Sequence, residues 1–372
     1  MPAQTGDQLT DEERRELRAA CDRWLQGQGK RSVADALGEL SSLAPDELTA
    51  DVYGDGGVVG VLEEEVRERL DMPAAAFMPS GTMAQQIALR VHADRRSRQV
   101  VAFHPTCHLE LHEDKAYQRL HGLVGRPVGN ARELLTLADL ESIREPLAAV
   151  VIELPQREIG GRLPQWDELA AQVAHVRERG AAVHLDGARL WESQPFYGRT
   201  LAEIAGLFDT VYVSFYKGLG APAGSMLLGQ PEVIADARLW RKRHGGTLYA
   251  LWPYAAASLV GLRLRLPRMP RYVEHARAIA AELARIDGVE VIPDPPQTPM
   301  MHLHLRTTEA AVTAGIRRLA ADHGLWAFGG SMALDSPGLR GVELTVGDAT
   351  LAFTPGEVAG VVRQLFPSHG PG

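Results

Sequence analysis

The segment AVHLDGARLWES (182–193) ends an apolar run in Asp186, followed at once by Gly187 and Arg189. Ligands of open α/β sheets sit beyond the carboxyl ends of the strands, so a carboxylate placed there faces a binding crevice. Standing alone, the same residue reads equally well as a helix cap. It does not stand alone, because 31 positions on, SFYKGLGAPAGS puts Lys217 just past another apolar run, in a glycine-rich turn. FMPSGTMAQQIAL (77–89) adds a third element, a strand, then Ser80-Gly81-Thr82, then a helix. Free backbone N–H groups at a helix N-terminus bind anions, so this turn suits a phosphate. Ser and Thr are also ordinary N-caps, and the weight of the motif comes from its order relative to Asp186 and Lys217.

A strand-end carboxylate paired with a strand-end amine is what a pyridoxal-5′-phosphate (PLP) cofactor requires. The amine forms an imine with the cofactor aldehyde, and the carboxylate pairs with the pyridinium nitrogen, keeping the ring an electron acceptor.

The elements that must position these groups are legible from hydrophobic patterning. AAAFM (74–78), QVVAF (99–103), AAVVIEL (148–154), AAVHL (181–185), TVYVSF (210–215) and SMLLG (225–229) read as buried strands, with helices such as MAQQIALRVHADRR (83–96) and WDELAAQVAHVRERG (166–180) between them. Continuous apolar runs separated by helices predict an α/β fold, a mostly parallel sheet sandwiched by helices. The C-terminal third differs. MHLHLR (301–306) alternates as a half-exposed antiparallel strand would, GVELTV (341–346) is another strand, and TPGEVAGVVRQLF (354–366) opens a helix with Thr354, Pro355 and Glu357. PDPPQTP (293–299) is expected to separate this region's first helix from its sheet. At the N-terminus, TDEERRELRAACDRWL carries a capping box (Thr10, Glu13) and one helical stripe, Leu17, Cys21, Trp24 and Leu25. The chain therefore divides into an N-terminal helical segment (1–49), a large cofactor-binding domain (50–261) and a small α+β domain (262–372).

Together these segments resemble the threonine aldolase family of fold-type I PLP enzymes, within the β-eliminating-lyase superfamily. The resemblance runs from DVYGDG (51–56) through PSGTMAQQ, HLDGARLWE and KGLGAPAGS to ARLWRKRHGG (237–246), taken as a helix start; HLDGARL with KGLGAP at this spacing is its most specific part. It implies a homodimer or homotetramer with shared active sites, and cleavage of a β-hydroxy-α-amino acid to glycine and an aldehyde, or the reverse. Lys217 is then the Schiff-base lysine, Asp186 the pyridinium partner, and Arg189 the arginine beside the cofactor, holding its phenolate or the substrate carboxylate. His108, in TCHLELHE, matches the histidine that stacks on the cofactor ring and helps move the hydroxyl proton. Gly81 and Thr82 match the phosphate loop, and Ser214 adds a hydroxyl to it. Arg340, in GLRGVELTV, stands where the family has an arginine that clamps the substrate carboxylate, and Tyr53 joins it on the substrate side. Three features depart from the family. Its N-terminal Arg-Ser-Asp-Thr strand has no counterpart, a family histidine appears as Glu158 or a neighbour in ELPQREIGGRLP (153–164), and the arginine that reaches the phosphate is replaced by Tyr249. The cofactor side of the machinery is complete and the substrate side is altered.

Composition sets the remaining bounds. The 372 residues are 45% hydrophobic and 23% charged, in the globular range, and the formal net charge of −8 argues against nucleic acid as a partner. RLRLPRMPRY (263–272) reads as helix faces and connectors. Two cysteines, Cys21 and Cys107, are too few for a disulfide framework and fit a cytoplasmic protein. The acidic first 25 residues do not form a signal peptide, and no run reaches the roughly 18 apolar residues of a membrane span. His104, His108 and His112, spaced by four, raise zinc, but Pro105 pushes His104 out of helical conformation, and no metal is expected. GDGG (54–57) reads as a turn, and Glu153 with Glu158 as an edge-of-strand salt link in preference to an acid–base pair. Alternatives to the aldolase are β-elimination or transamination on the same cofactor, and a non-catalytic binding protein of this fold.

Overall fold

A computed structural model of the chain describes residues 8–336 and 338–366. It divides into two compact units. One is Val33–Pro267, and the other joins the residues before Val33 to those from Arg268 onward. The boundaries thus fall away from the expected 49/50 and 261/262. Helix Val33–Leu40 packs on helix Trp252–Arg265, and that second helix runs unbroken through position 262.

The Val33–Pro267 unit is built on seven strands: β1 (Ala74–Met78), β2 (Val100–Phe103), β3 (Val124–Pro127), β4 (Ala149–Glu153), β5 (Ala182–Gly187), β6 (Thr210–Ser214) and β7 (Ser225–Gly229), in the spatial order β1-β7-β6-β5-β4-β2-β3. Every neighbouring pair is parallel except those of β7, which runs antiparallel to both β1 and β6. Strands β5 and β6 are buried along their whole length, the environment their unbroken apolar sequences require. β3 escapes a sequence reading because VGRP is an exposed edge strand closed by a proline.

The helices that matter are α1 (Gly57–Leu70), α2 (Gly81–Arg96), α3 (Trp166–Glu178) and α4 (Pro231–Arg243). ARLWRKRHGG is consequently the end of α4 and not a helix start. α2 lies across β1 and β4–β7. Its Ala84, Ile87, Ala88 and Val91 pack against Ala76, Met78, Tyr212 and Leu227, and its Leu89 and Ala93 against β2 and β4. Each large aliphatic buried there contributes about 1.5–3 kcal/mol. Ser80 caps α2, its Oγ accepting from the Met83 N–H at 3.3 Å.

The second unit holds a four-stranded antiparallel sheet of β8 (Val289–Ile292), β9 (Met300–Leu305), β10 (Met332–Ala333) and β11 (Arg340–Thr345), ordered β10-β11-β9-β8. Its helices are α5 (Met269–Leu283), α6 (Glu309–His323) and α7 (Pro355–Arg363), the last opened by a complete Thr354/Glu357 capping box. Three expectations change here. β9 is not half-exposed, because it lies between β8 and β11 and even His302 is buried, 3.6 Å from Glu343. PDPPQTP separates β8 from β9, the short VEVI segment being itself a strand. The N-terminal helix stops at Ala20, so Cys21 and Leu25 are buried off the helix, while Arg23–Trp24 pairs in parallel with Leu325–Trp326. Only half of the Thr10 capping box forms, since the Glu13 carboxylate takes Arg317 at 2.6 Å. Residues 1–7 of the segment judged not to be a signal peptide lie outside the described residues. Among the described residues, no helix is long and apolar enough to cross a membrane.

Candidate active site

The carboxyl edge of the large sheet collects the chemistry. Glu153, Asp186 and Tyr212 are register partners on the adjacent strands β4, β5 and β6, so they form one row facing α2. Two residues beyond Tyr212, Ser214 ends β6 on the same face, and Lys217 follows in the turn that leads to β7. The α2 N-terminus arrives at this row from the neighbouring β1. A Cβ on Gly81 would fall on the Tyr212 hydroxyl and within 2.9 Å of the Tyr216 hydroxyl, so only glycine lets the backbone come this close. The Gly81 and Thr82 N–H groups open the helix with no intrahelical acceptor. Ser214 Oγ is buried and, among the described residues, has no hydrogen-bond partner. A free hydroxyl and free amides beside a lysine and a buried carboxylate match the donor set that the phosphate, aldehyde and pyridine nitrogen of PLP would need, so the residues fit that group.

Asp186 is buried, its Oδ2 accepting from Gln85 Nε2–H at 2.6 Å and its Oδ1 from the Ala188 N–H at 3.1 Å. These bonds hold its plane and leave lone pairs for a further donor. Lys217 is half-buried, its Nζ 5.9 Å from the Tyr216 ring centre. Desolvation first, then the Arg189 charge, pull its pKa below the ordinary lysine value, against the opposing pull of Asp186, Glu153 and Glu192. Arg189 stands with its Nε 3.6 Å from the buried Glu192 carboxylate, and Glu192 in turn lies against the backbone of Gly218.

The carboxyl of Glu153 is pushed up to about 7, chiefly by burial and then by the charge of Asp186. Its oxygens accept from the Arg157 N–H (3.1 Å) and from Gln156 Nε2–H (3.3 Å), not from a cation. The salt-link expectation therefore fails for Glu153; Glu158 is the one that is ion-paired, with Arg157 and His112. His108 opens a short helix after β2 and donates or shares its Nδ1 proton with Glu113 Oε1 at 3.1 Å. Glu113 is buried and keeps its second oxygen without a partner among the described residues. The three histidines spaced by four go separate ways: His104 to the Asn130 and Glu133 carbonyls, His108 to Glu113, His112 to Glu158.

Tyr53 and Tyr249 lie together and exposed. Their rings meet edge-on at 5.4 Å and the Tyr53 N–H donates to the Tyr249 carbonyl at 2.8 Å. Buried Asp51 ties their two segments, accepting from the Gly54, Leu251 and Trp252 N–H groups. Arg340 belongs to the second unit, where its guanidinium holds Glu309 (2.7 Å) and Ser331 (3.1 Å). Sequence reasoning passed over Tyr212, Glu113 and Gln85. Gln85 carried a signal, a polar side chain two turns before His92 on one face of a mostly apolar helix, whereas the place of Tyr212 beside Asp186 is set by strand register and left none.

Comparison with known proteins gives a consistent picture. Residues 42–308 match the family model described as beta-eliminating lyase. The chain is 28% identical over 303 residues to low-specificity L-threonine aldolase 1 of Arabidopsis thaliana, covering 78% of this chain and 83% of that one. It is 30% identical over 259 residues to the low specificity L-threonine aldolase of Escherichia coli K12, covering 68% and 77%. A solved structure from Listeria monocytogenes, provisionally assigned as an L-allo-threonine aldolase, superposes with a TM-score of 0.88 at 37% identity, over 95% of this chain and 98% of that one.

Proposed function

Because the chain belongs to the β-eliminating-lyase family, we propose that it is a PLP-dependent aldolase that cleaves a β-hydroxy-α-amino acid to glycine and an aldehyde, or joins them. The observation that carries this reading is the row at the sheet edge: Asp186, Ser214 and Lys217, met by the N-terminus of α2. PLP bound there would hold the substrate nitrogen and accept the electron pair released as the Cα–Cβ bond breaks.

The chain's own residues then divide the work. Lys217, its pKa lowered by burial and by Arg189, keeps a larger neutral fraction near pH 7 and so acts as a nucleophilic amine. Asp186, its carboxylate oriented by two N–H donors, would pair with the ring nitrogen. Gly81, Thr82 and Ser214 supply phosphate donors. Arg189 offers a guanidinium to the phenolate or the substrate carboxylate. His108 gives its Nδ1–H to Glu113, which leaves Nε2 as the acceptor for the β-hydroxyl proton. Arg340 is assigned the substrate carboxylate by its place in the family motif alone. Tyr249, in the place of a phosphate arginine, is 70% exposed, so its hydroxyl and that of Tyr53 serve a site once a second copy covers them. That requirement supports a homo-oligomer with shared sites. Two unpaired, buried cysteines accord with a cytoplasmic location.

The experiment is borohydride reduction of the yellow holoprotein with peptide mapping, followed by incubation of unreduced enzyme with a panel of β-hydroxy amino acids. The pyridoxyl group is expected on Lys217, and glycine plus aldehyde as products. Ammonia with a keto acid, or a pyridoxamine form, would instead establish elimination or transamination.

A further inference from the structure

Behind Asp186 a line of buried polar side chains crosses the interior of the unit. Gln85 Nε2 is 2.6 Å from Asp186 Oδ2, and Gln85 Oε1 is 3.2 Å from His184 Nε2. His184 Nδ1 is 2.8 Å from Thr210 Oγ1, which is 2.8 Å from His92 Nε2, and His92 Nδ1 is 3.3 Å from Arg96 Nη1. Gln85, His184, Thr210 and His92 are each at most 2% exposed. Three elements build the line. Gln85, His92 and Arg96 sit seven and four apart on one face of α2, His184 and Asp186 share a face of β5, and Thr210 is the register partner of His184 on β6.

The chemistry of the two ends gives the line a single direction. Ionised Asp186 only accepts, so Gln85 must turn its NH₂ toward it and its carbonyl toward His184. His184 must then carry its proton on Nε2 and accept on Nδ1, which takes the Thr210 hydroxyl proton. Thr210 Oγ1 in turn accepts from His92 Nε2–H, leaving His92 Nδ1 to accept from Arg96, a group that only donates. Every link is satisfied in this sense, and reversing any one sets two acceptors or two donors face to face. Both imidazoles are neutral, as the scheme needs, since burial holds each near a pKa of about 3.

We propose that Arg96, His92, Thr210, His184 and Gln85 form a one-way hydrogen-bond chain that positions the Asp186 carboxylate as the acceptor for a protonated pyridine nitrogen. The proposal rests on Asp186 being the cofactor partner. These five are positioning residues, none of them facing the substrate. A carboxylate that loses its internal donor becomes more basic and draws the shared proton away from the ring.

The first test needs no cofactor. In ¹⁵N-histidine-labelled cofactor-free protein, two rings, identified by their loss in His92→Asn and His184→Asn, are expected as Nε2–H tautomers that do not titrate between pH 5 and 9. An Nδ1–H tautomer at either ring, or a titration near its ordinary pKa, overturns the chain. The second test uses PLP labelled with ¹⁵N in the ring. Gln85→Leu and Thr210→Val are expected to weaken PLP binding roughly tenfold and to move the ring-nitrogen signal toward the unprotonated position, while Thr210→Ser restores both. An unmoved signal in both variants sinks the proposal, as does failure of Thr210→Ser to restore it. Should the wild-type chain bind no PLP, the functional reading fails while the tautomer result still decides whether the chain of bonds exists.

Discussion

Asp186 and Glu153 are register partners on adjacent strands, Asp186 buried and Glu153 half-buried, and their carboxyl groups are held differently. Asp186 accepts two N–H donors, one from a side chain whose orientation is fixed by the residues behind it. Glu153 also has two donors, but burial and the Asp186 charge outweigh them and lift its pKa from 4.5 to about 7. The sign of the consequence follows. Below pH 4.5 Glu153 is protonated in both folded and unfolded chains and contributes no pH dependence. Between 4.5 and 7 the unfolded chain ionises first, so stability falls as pH rises through that window. Glu153→Gln in the cofactor-free protein is expected to be more stable than wild type at pH 8 and equal to it at pH 4.5, measured by urea unfolding; parallel pH profiles would contradict this origin. At this scale, Asp186, Lys217 and Ser80–Thr82 were legible because each follows an apolar run. Glu153 was visible but misjudged, since a strand-end glutamate in a sequence looks the same whether a cation or only an amide reaches it.

The meeting of α2 with β6 turns on one missing side chain. Gly81 is the first residue of α2, and its Cα hydrogens face the Tyr212 and Tyr216 hydroxyls. Gly81→Ala is expected to cost about 1–3 kcal/mol through overpacking and to weaken PLP binding at least tenfold by displacing the helix N-terminus. Gly60→Ala, in α1 where a Cβ meets nothing within 4 Å, is the control, expected to stabilise by up to about 1 kcal/mol. Cofactor titration and thermal melting of the two variants check this, and equal behaviour would refute the steric account. The strand–turn–helix order around Gly81 was readable from FMPSGTMAQQIAL. That Tyr212 of β6 and Tyr216 of the turn after it, 131 and 135 positions later, require the glycine was not, because the register of β6 beside β5 is set by the whole sheet.

Exposed Val52, Tyr53, Leu248 and Tyr249 form an apolar patch from two segments tied together by backbone hydrogen bonds and Asp51. For a chain of 40.5 kDa, light scattering is expected to give a mass of two or four chains, and Tyr53→Ser with Tyr249→Ser to lower both the assembly constant and PLP affinity. A monomer with full PLP affinity would remove Tyr249 from the site. By itself the sequence determined the class of the larger sheet, six of its seven strands, the placement of Asp186 and Lys217 at the ends of two of them, and the family, because those depend on local apolar period, turn chemistry and short motifs. Tertiary structure alone decided that β9 is buried, that the N-terminal helix stops at Ala20, and that Gln85, His184, Thr210 and His92 stand in line behind Asp186. Each of these depends on partners from 10 to more than 300 positions away, and hydrogen bonds between such partners are specified by strand register and helix docking, which no local pattern in the chain encodes.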